Sequence, residues 1–178
     1  MMALATTTSG VLLEKFGDRC GGVHRWDVKV LNDDVSVIQN KTVKSTIAEL
    51  IELETPTVGK KTPRQDVEKK KYKLENIKIV KKIPEADEDL HLVLEDDDGN
   101  QMIAEIPYHD CPDAQESGFA AAYLQARINF LKHSKDFKDF RWNITGVAFV
   151  DLTHGTTQHG AAPNEIELHP VLKIEAVE

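Results

Sequence analysis

A closed, five-stranded β-barrel with one helix between its third and fourth strands is the architecture this sequence predicts. Three observations carry it: a long strand whose apolar phase switches midway, a cleanly alternating hairpin after it, and a helical stripe separating that hairpin from two further strands. That order is the connectivity of the OB barrel, so the fold class is mainly β with helices, an α+β, OB-like domain. A chain of 178 residues suffices for one such domain plus an N-terminal extension.

Residues 1–23 are polar, with a short apolar patch at 11–13, and read as a loosely held arm. Trp26, Val28 and Val30 alternate with Asp27, Lys29 and Leu31, which predicts a short extended segment broken by Asn32-Asp33-Asp34. Ser45 is the expected cap of a helix over 46–53, where Ile47, Leu50 and Ile51 fall at helical spacing. Glu49 then lies one place late for a capping box. Pro56, Gly59 and Pro63 end this region. Residues 1–63 are read as an extension packed on the barrel and 64–178 as the barrel, because the first part holds too few apolar residues to fold alone.

The first barrel strand is expected over 67–83. Tyr72 and Leu74 occupy one phase and Ile77 and Ile79 the other, a switch that needs an inserted residue, a bulge. Leu90, Leu92 and Leu94 then alternate with His91, Val93 and Glu95 before the turn Asp96-Asp97-Asp98-Gly99-Asn100, where Gly99 supplies positive φ. This aspartate run lacks the glutamate that completes a calcium loop. The return strand, 102–106, stops at Pro107. Asp113 and Glu116 match a variant capping box, and Ala120, Leu124, Ile128 and Leu131 form the apolar stripe of the helix. Strands over 142–152 and 165–177 close the chain, with the last expected beside the first. Pro170 after His169 suits a bulge.

Composition narrows the function. Net charge is −8, and positive charge gathers only around Lys60, Lys61, Arg64, Lys69, Lys70, Lys71 and Lys73. That cluster reads as a lysine-blunted strand edge or linker before it reads as a phosphate-tracking stripe. Duplex DNA is disfavoured as a partner; single-stranded nucleic acid or another macromolecule stays open, although aromatic platforms are scarce on the predicted face. No apolar run approaches the ~20 residues of a membrane span, so no membrane partner is expected. The N-terminus lacks a secretory pattern, which places the protein in the cytoplasm, or outside if a signal has been trimmed. Cys20 and Cys111 have no CxxC spacing, which excludes a thiol-cluster zinc site; one disulfide and two reduced thiols both remain open. No nucleophile elbow, P-loop or dinucleotide fingerprint is present.

Asp89-Leu90-His91-Leu92-Val93-Leu94, Met102-Ile103-Ala104-Glu105-Ile106-Pro107, Gly146-Val147-Ala148-Phe149-Val150-Asp151 and Ala162-Pro163-Asn164-Glu165-Ile166-Glu167-Leu168-His169-Pro170-Val171 together resemble a family of small bacterial proteins to which no activity is assigned. The resemblance spans roughly 24–175 and implies a bacterial origin but no mechanism. Where this chain has Asp87-Glu88-Asp89, that family tends to carry Asp-Gly-Asp or Asp-Ser-Asp.

The polar phases yield the candidate site. His91 and Glu105 sit on the hairpin, Glu167 and His169 on the last strand, and Asp151, His154 and Asn164 in the connection between the last two strands. These seven residues are the expected binding set, gathered at one end of the barrel. The leading reading is a ligand- or partner-binding module using the loop and strand at 151–169. The alternative is a metal-dependent hydrolase, a nuclease among the options, in which His91, His154, Glu167 and His169 are the expected ligands of a divalent metal such as zinc. Against a nuclease, none of the arginines (Arg19, Arg25, Arg64, Arg127, Arg141) falls on the seam strands to clamp phosphate.

Overall fold

The computed structural model describes residues 20, 24–84, 87–152 and 161–177. Its strands are β1 (Thr42–Lys44), β2 (Lys71–Pro84), β3 (Leu90–Glu95), β4 (Gln101–Ile106), β5 (Arg141–Val150) and β6 (Ile166–Val177). They run in the order β1-β2-β3-β4-β6-β5, and β2 also pairs with β5. Five strands therefore close into an OB-like barrel, to which β1 adds as a parallel edge strand on β2. The α-helices among the described residues are α1 (Trp26–Lys29), α2 (Ile47–Ile51), α3 (Pro112–Glu116) and α4 (Ala120–Leu131). α3 and α4 lie between the third and fourth barrel strands. None of these helices is long and apolar enough to cross a membrane.

The phase switch in β2 is real. Its register with β5 shifts between Leu74 and Ile77, where Asn76 takes φ 59°, and its register with β3 shifts between Ile79 and Lys81. The first half thus pairs with β5 and the second with β3, so one bent strand serves both sides of the barrel. In the hairpin, Gly99 takes φ 84°, and Asp96 Oδ1 accepts the backbone N–H of Asp98 at 3.0 Å and of Asn100 at 2.9 Å. The expected bulge near Pro170 is also present, because the β5–β6 register shifts on both sides of Gly146. Only glycine fits there: a Cβ would lie 2.9 Å from the Pro170 carbonyl oxygen. Inside the barrel Leu74, Leu92, Leu94, Trp142, Ile144 and Leu168 are wholly buried, and Phe130 of α4 and Leu50 of α2 belong to the same core.

Five expectations are corrected. Residues 26–29 form the helix α1 rather than a strand; alternation over so few residues fits either, and Arg25 at φ 53° turns the chain into the helix. Thr46, not Ser45, caps α2, so Glu49 falls at the right place and the capping box closes, Thr46 Oγ1 accepting from Glu49 N–H and Glu49 Oε2 from Thr46 N–H. The helical region after the hairpin is two helices separated at Gly118, φ 78°, and α3 begins at Cys111 without a side-chain cap. On α4 the buried face carries Tyr123, Ala126 and Phe130, while Leu124, Ile128 and Leu131 are 39–46% exposed. Two aromatic rings bury more area than the aliphatic stripe, and they decide the helix's rotation. Finally, β6 lies between β4 and β5, not beside β2, whose two halves are already paired.

Cys20 and Cys111 form a disulfide, Cα–Cα 5.4 Å, tying the segment before α1 to the start of α3. Glu88 takes φ 67°.

Candidate functional site

Strand alternation builds the site. Leu90, Leu92 and Leu94 of β3 and Met102, Ala104 and Ile106 of β4 belong to the barrel core, so His91 and Glu105 face outward. The antiparallel register sets His91 opposite Glu105. The parallel pairing of β4 with β6 places Ile103 beside Glu167 and Ala104 beside Leu168, which brings Glu105 to His169 one step on. Phe149 of β5 stands opposite Glu167, its ring 5.8 Å from the His169 ring. Over this outer wall lies α1, with the Arg25 guanidinium 4.9 Å and the Lys29 ammonium 5.1 Å from the Phe149 centroid. The polar seam therefore runs along the barrel's outer wall under α1, not around a loop-lined end.

A chain of contacts follows. His91 Nδ1 lies 2.7 Å from Glu105 Oε1, and Glu105 Oε2 lies 3.0 Å from His169 Nδ1. His169 Nε2 is 3.6 Å from Asp89 Oδ2, and Asp89 Oδ1 accepts the Tyr108 backbone N–H at 2.7 Å. Asp89, Glu105, Glu167 and His169 are 1%, 7%, 6% and 1% exposed. The two His169 separations are close enough for ion pairing, but their angles fall outside hydrogen-bond geometry; both ring nitrogens, Asp89 Oδ2 and Glu167 Oε2 have no hydrogen-bond partner. Ligand atoms from Asp89, Glu105 and His169 all lie within 4.8 Å of one another.

The electrostatics follow from burial and proximity. Burial works to discharge His169, but the Glu105 charge and the Asp89 and Glu105 contacts outweigh it, and its pKa is pushed up to about 9. Burial likewise works to raise Glu105, yet the His169 charge, with His91 and Lys29, holds it well below the usual carboxylate range. Glu167 moves the other way: burial and the Glu105 charge push it well above that range. Asp89 is raised, chiefly by burial. Lys29 is pulled down by its own burial, but Glu105, Glu167, Asp151 and Asp89 together raise it above its ordinary value. Near neutral pH the seam thus holds a buried imidazolium and ammonium beside an ionised Glu105.

A second ion pair anchors α1 to the wall. Arg25 meets Glu68 bidentately at 2.8 and 2.6 Å, and its remaining donors reach the carbonyls of Val150, Thr62 and Pro63. Glu68, wholly buried, also accepts the backbone N–H of Val150 and Gln65. All five guanidinium donors are used, so this pair fixes position and leaves nothing for a ligand.

Of the expected site residues, the structure brings together His91, Glu105 and His169, with Glu167 next to them. Asp151 follows β5 and acts electrostatically on Lys29 and Glu167. Asn164 serves elsewhere: its Nδ2 donates to the Leu50 and Leu53 carbonyls at 2.9 and 3.0 Å, pinning the end of α2. His154 lies outside the described residues. Sequence reasoning missed Asp89 and Lys29. Asp89 shares the outward phase of His91 two residues on, a signal that was present. Lys29 lies four residues after Arg25, a spacing that means one face only once the segment is known to be helical. Comparison of the chain with protein-family models, curated proteins and solved structures finds no match.

Proposed function

We propose that the protein is an OB-like binding module that engages its ligand or partner along the outer wall beneath α1 and through the loop and strand at 151–169. The observation that carries this reading is the buried ion network. Removing a charged group from water costs several kcal/mol, and a barrel can be built without such groups. Clusters of groups with displaced pKa values are concentrated at functional sites. His91, its side chain 12% exposed, links the network to the surface. A metal-dependent hydrolase is the other class these residues suggest. The burial of Asp89, Glu105 and His169 supports binding over hydrolysis, since a hydrolytic centre has to admit its substrate. The Cys20–Cys111 bond supports an oxidising compartment, where such bonds persist; recovering both thiols reduced from alkylated cells would overturn that placement.

The binding reading is tested by thermal-shift measurements on the full chain with zinc and manganese chlorides, inorganic phosphate, a linear oligosaccharide and a short oligothymidylate. A probe at a hundred times its Kd stabilises by about 2.7 kcal/mol, or about 5–11 °C for a chain of this size. The expected result is such a shift in the native protein and a clearly smaller one in His91→Ala. No shift with any probe, or one that survives the substitution unchanged, overturns the reading.

A further inference from the structure

We propose that Asp89, Glu105 and His169 hold a divalent first-row transition-metal ion, zinc foremost, between the barrel's outer wall and α1. The inference rests on the reading of this wall as the functional surface and names what it binds.

Three strands meet at the cluster: Asp89 directly precedes β3, Glu105 is on β4 and His169 on β6. One imidazole with two carboxylates is a donor set suited to zinc, manganese or ferrous iron. Two ligand atoms on a tetrahedral zinc stand about 3.4 Å apart, and Asp89 Oδ2 and His169 Nε2 stand 3.6 Å apart. The chosen atoms of the three residues all lie within 4.8 Å of one another, so closing the shell to tetrahedral separations requires the Glu105 and Asp89 carboxylates to draw in around one nitrogen of His169.

The unpartnered atoms point the same way. Asp89 Oδ2 and both nitrogens of His169 are buried without a hydrogen bond, a costly state that coordination would relieve at Asp89 Oδ2 and at one of the two nitrogens. Both carboxylate ligands are also held by a neighbour on the far side. Asp89 Oδ1 takes the Tyr108 backbone N–H, and Glu105 Oε1 takes His91 Nδ1, so the other oxygen of each carboxylate is directed toward His169. Such outer hydrogen bonds are the usual way a protein orients metal ligands.

The test is elemental analysis of the full chain purified without an immobilised-metal column, followed by cobalt(II) titration of chelated protein with visible absorption as the readout. About one ion per chain and the d–d bands of a four- or five-coordinate cobalt site are expected. Glu105→Gln should abolish both. His91→Ala removes an orienting residue and not a ligand, so it should keep the bands and weaken cobalt affinity about 10–100-fold. Native protein that carries no ion and gives no cobalt bands overturns the proposal. Cobalt binding unchanged in Glu105→Gln does so too. If Glu105→Gln fails to fold, the His91→Ala affinity decides, and an unaltered value counts against the site. Metal-free native protein that is still stabilised by phosphate or oligosaccharide would remove the ion and leave the binding reading standing.

Discussion

Replacing Glu105 by Gln keeps the side chain's shape and removes the charge that faces His169. The magnitude follows from the imidazole itself: its pKa is raised from 6.5 to about 9, a displacement that corresponds to roughly 3 kcal/mol in all. Asp89 at 3.6 Å retains part of this, and Lys29 opposes it, so a loss of at most about 3 kcal/mol is expected. The sign is fixed by linkage. A group with a raised folded pKa contributes fully below its unfolded pKa and loses that contribution as pH rises through the folded one. Native stability should therefore fall between pH 6.5 and about 9. Glu167 adds a decline of the same sign, since its carboxyl is also held above its ordinary range. Urea unfolding of native and Glu105→Gln protein in chelator, near pH 6.5 and again above pH 9, measures the gap at each end. It should be wide at the lower pH and narrow at the higher. An equal gap at both would refute the imidazolium assignment.

Two further outcomes are expected. The Cys20–Cys111 bond spans a sequence separation of 91, so Cys20→Ala/Cys111→Ala should lose about 4.6 kcal/mol by loop-entropy reasoning. Scanning calorimetry should then show a Tm lower by about 9–18 °C, and an unchanged Tm would mean that the bridge constrains little. Gly146→Ala places a methyl group 2.9 Å from the Pro170 carbonyl oxygen and 3.0 Å from Leu168 Cβ. A destabilisation of about 1–3 kcal/mol is expected by urea titration; no loss would show that β5 and β6 separate freely there.

Period-2 patterning made the barrel legible, because a half-buried strand writes its two faces into alternate residues. Leu90, Leu92 and Leu94 gave the hairpin, and the shift from Tyr72 and Leu74 to Ile77 and Ile79 gave the bend in β2. Helical phase was harder to read. Leu124, Ile128 and Leu131 make as good a stripe as Tyr123, Ala126 and Phe130, and only the barrel's open end selects between them. The site was half visible for a related reason. His91, Glu105 and His169 stood on outward phases of predicted strands, but their meeting depends on β4 lying parallel to β6, a pairing between residues some 64 positions apart that no local pattern records. Lys29 was hidden because four residues are too few to distinguish a turn of helix from a strand. Asn164 looked like a ligand because polar loop residues near a site and polar loop residues that cap a helix have the same composition.

The short strand β1 has a consequence for how this molecule meets copies of itself. Closure between β2 and β5 joins the two ends of the five-stranded sheet, and among the described residues the outer side of Thr42–Lys44 is an edge for another chain to zip onto. Three residues, with exposed lysines at 41 and 44, make a poor template for sheet growth. Crowded solutions of the native chain should accordingly resist fibre formation through backbone pairing, and self-association, where it occurs, would have to use side chains instead.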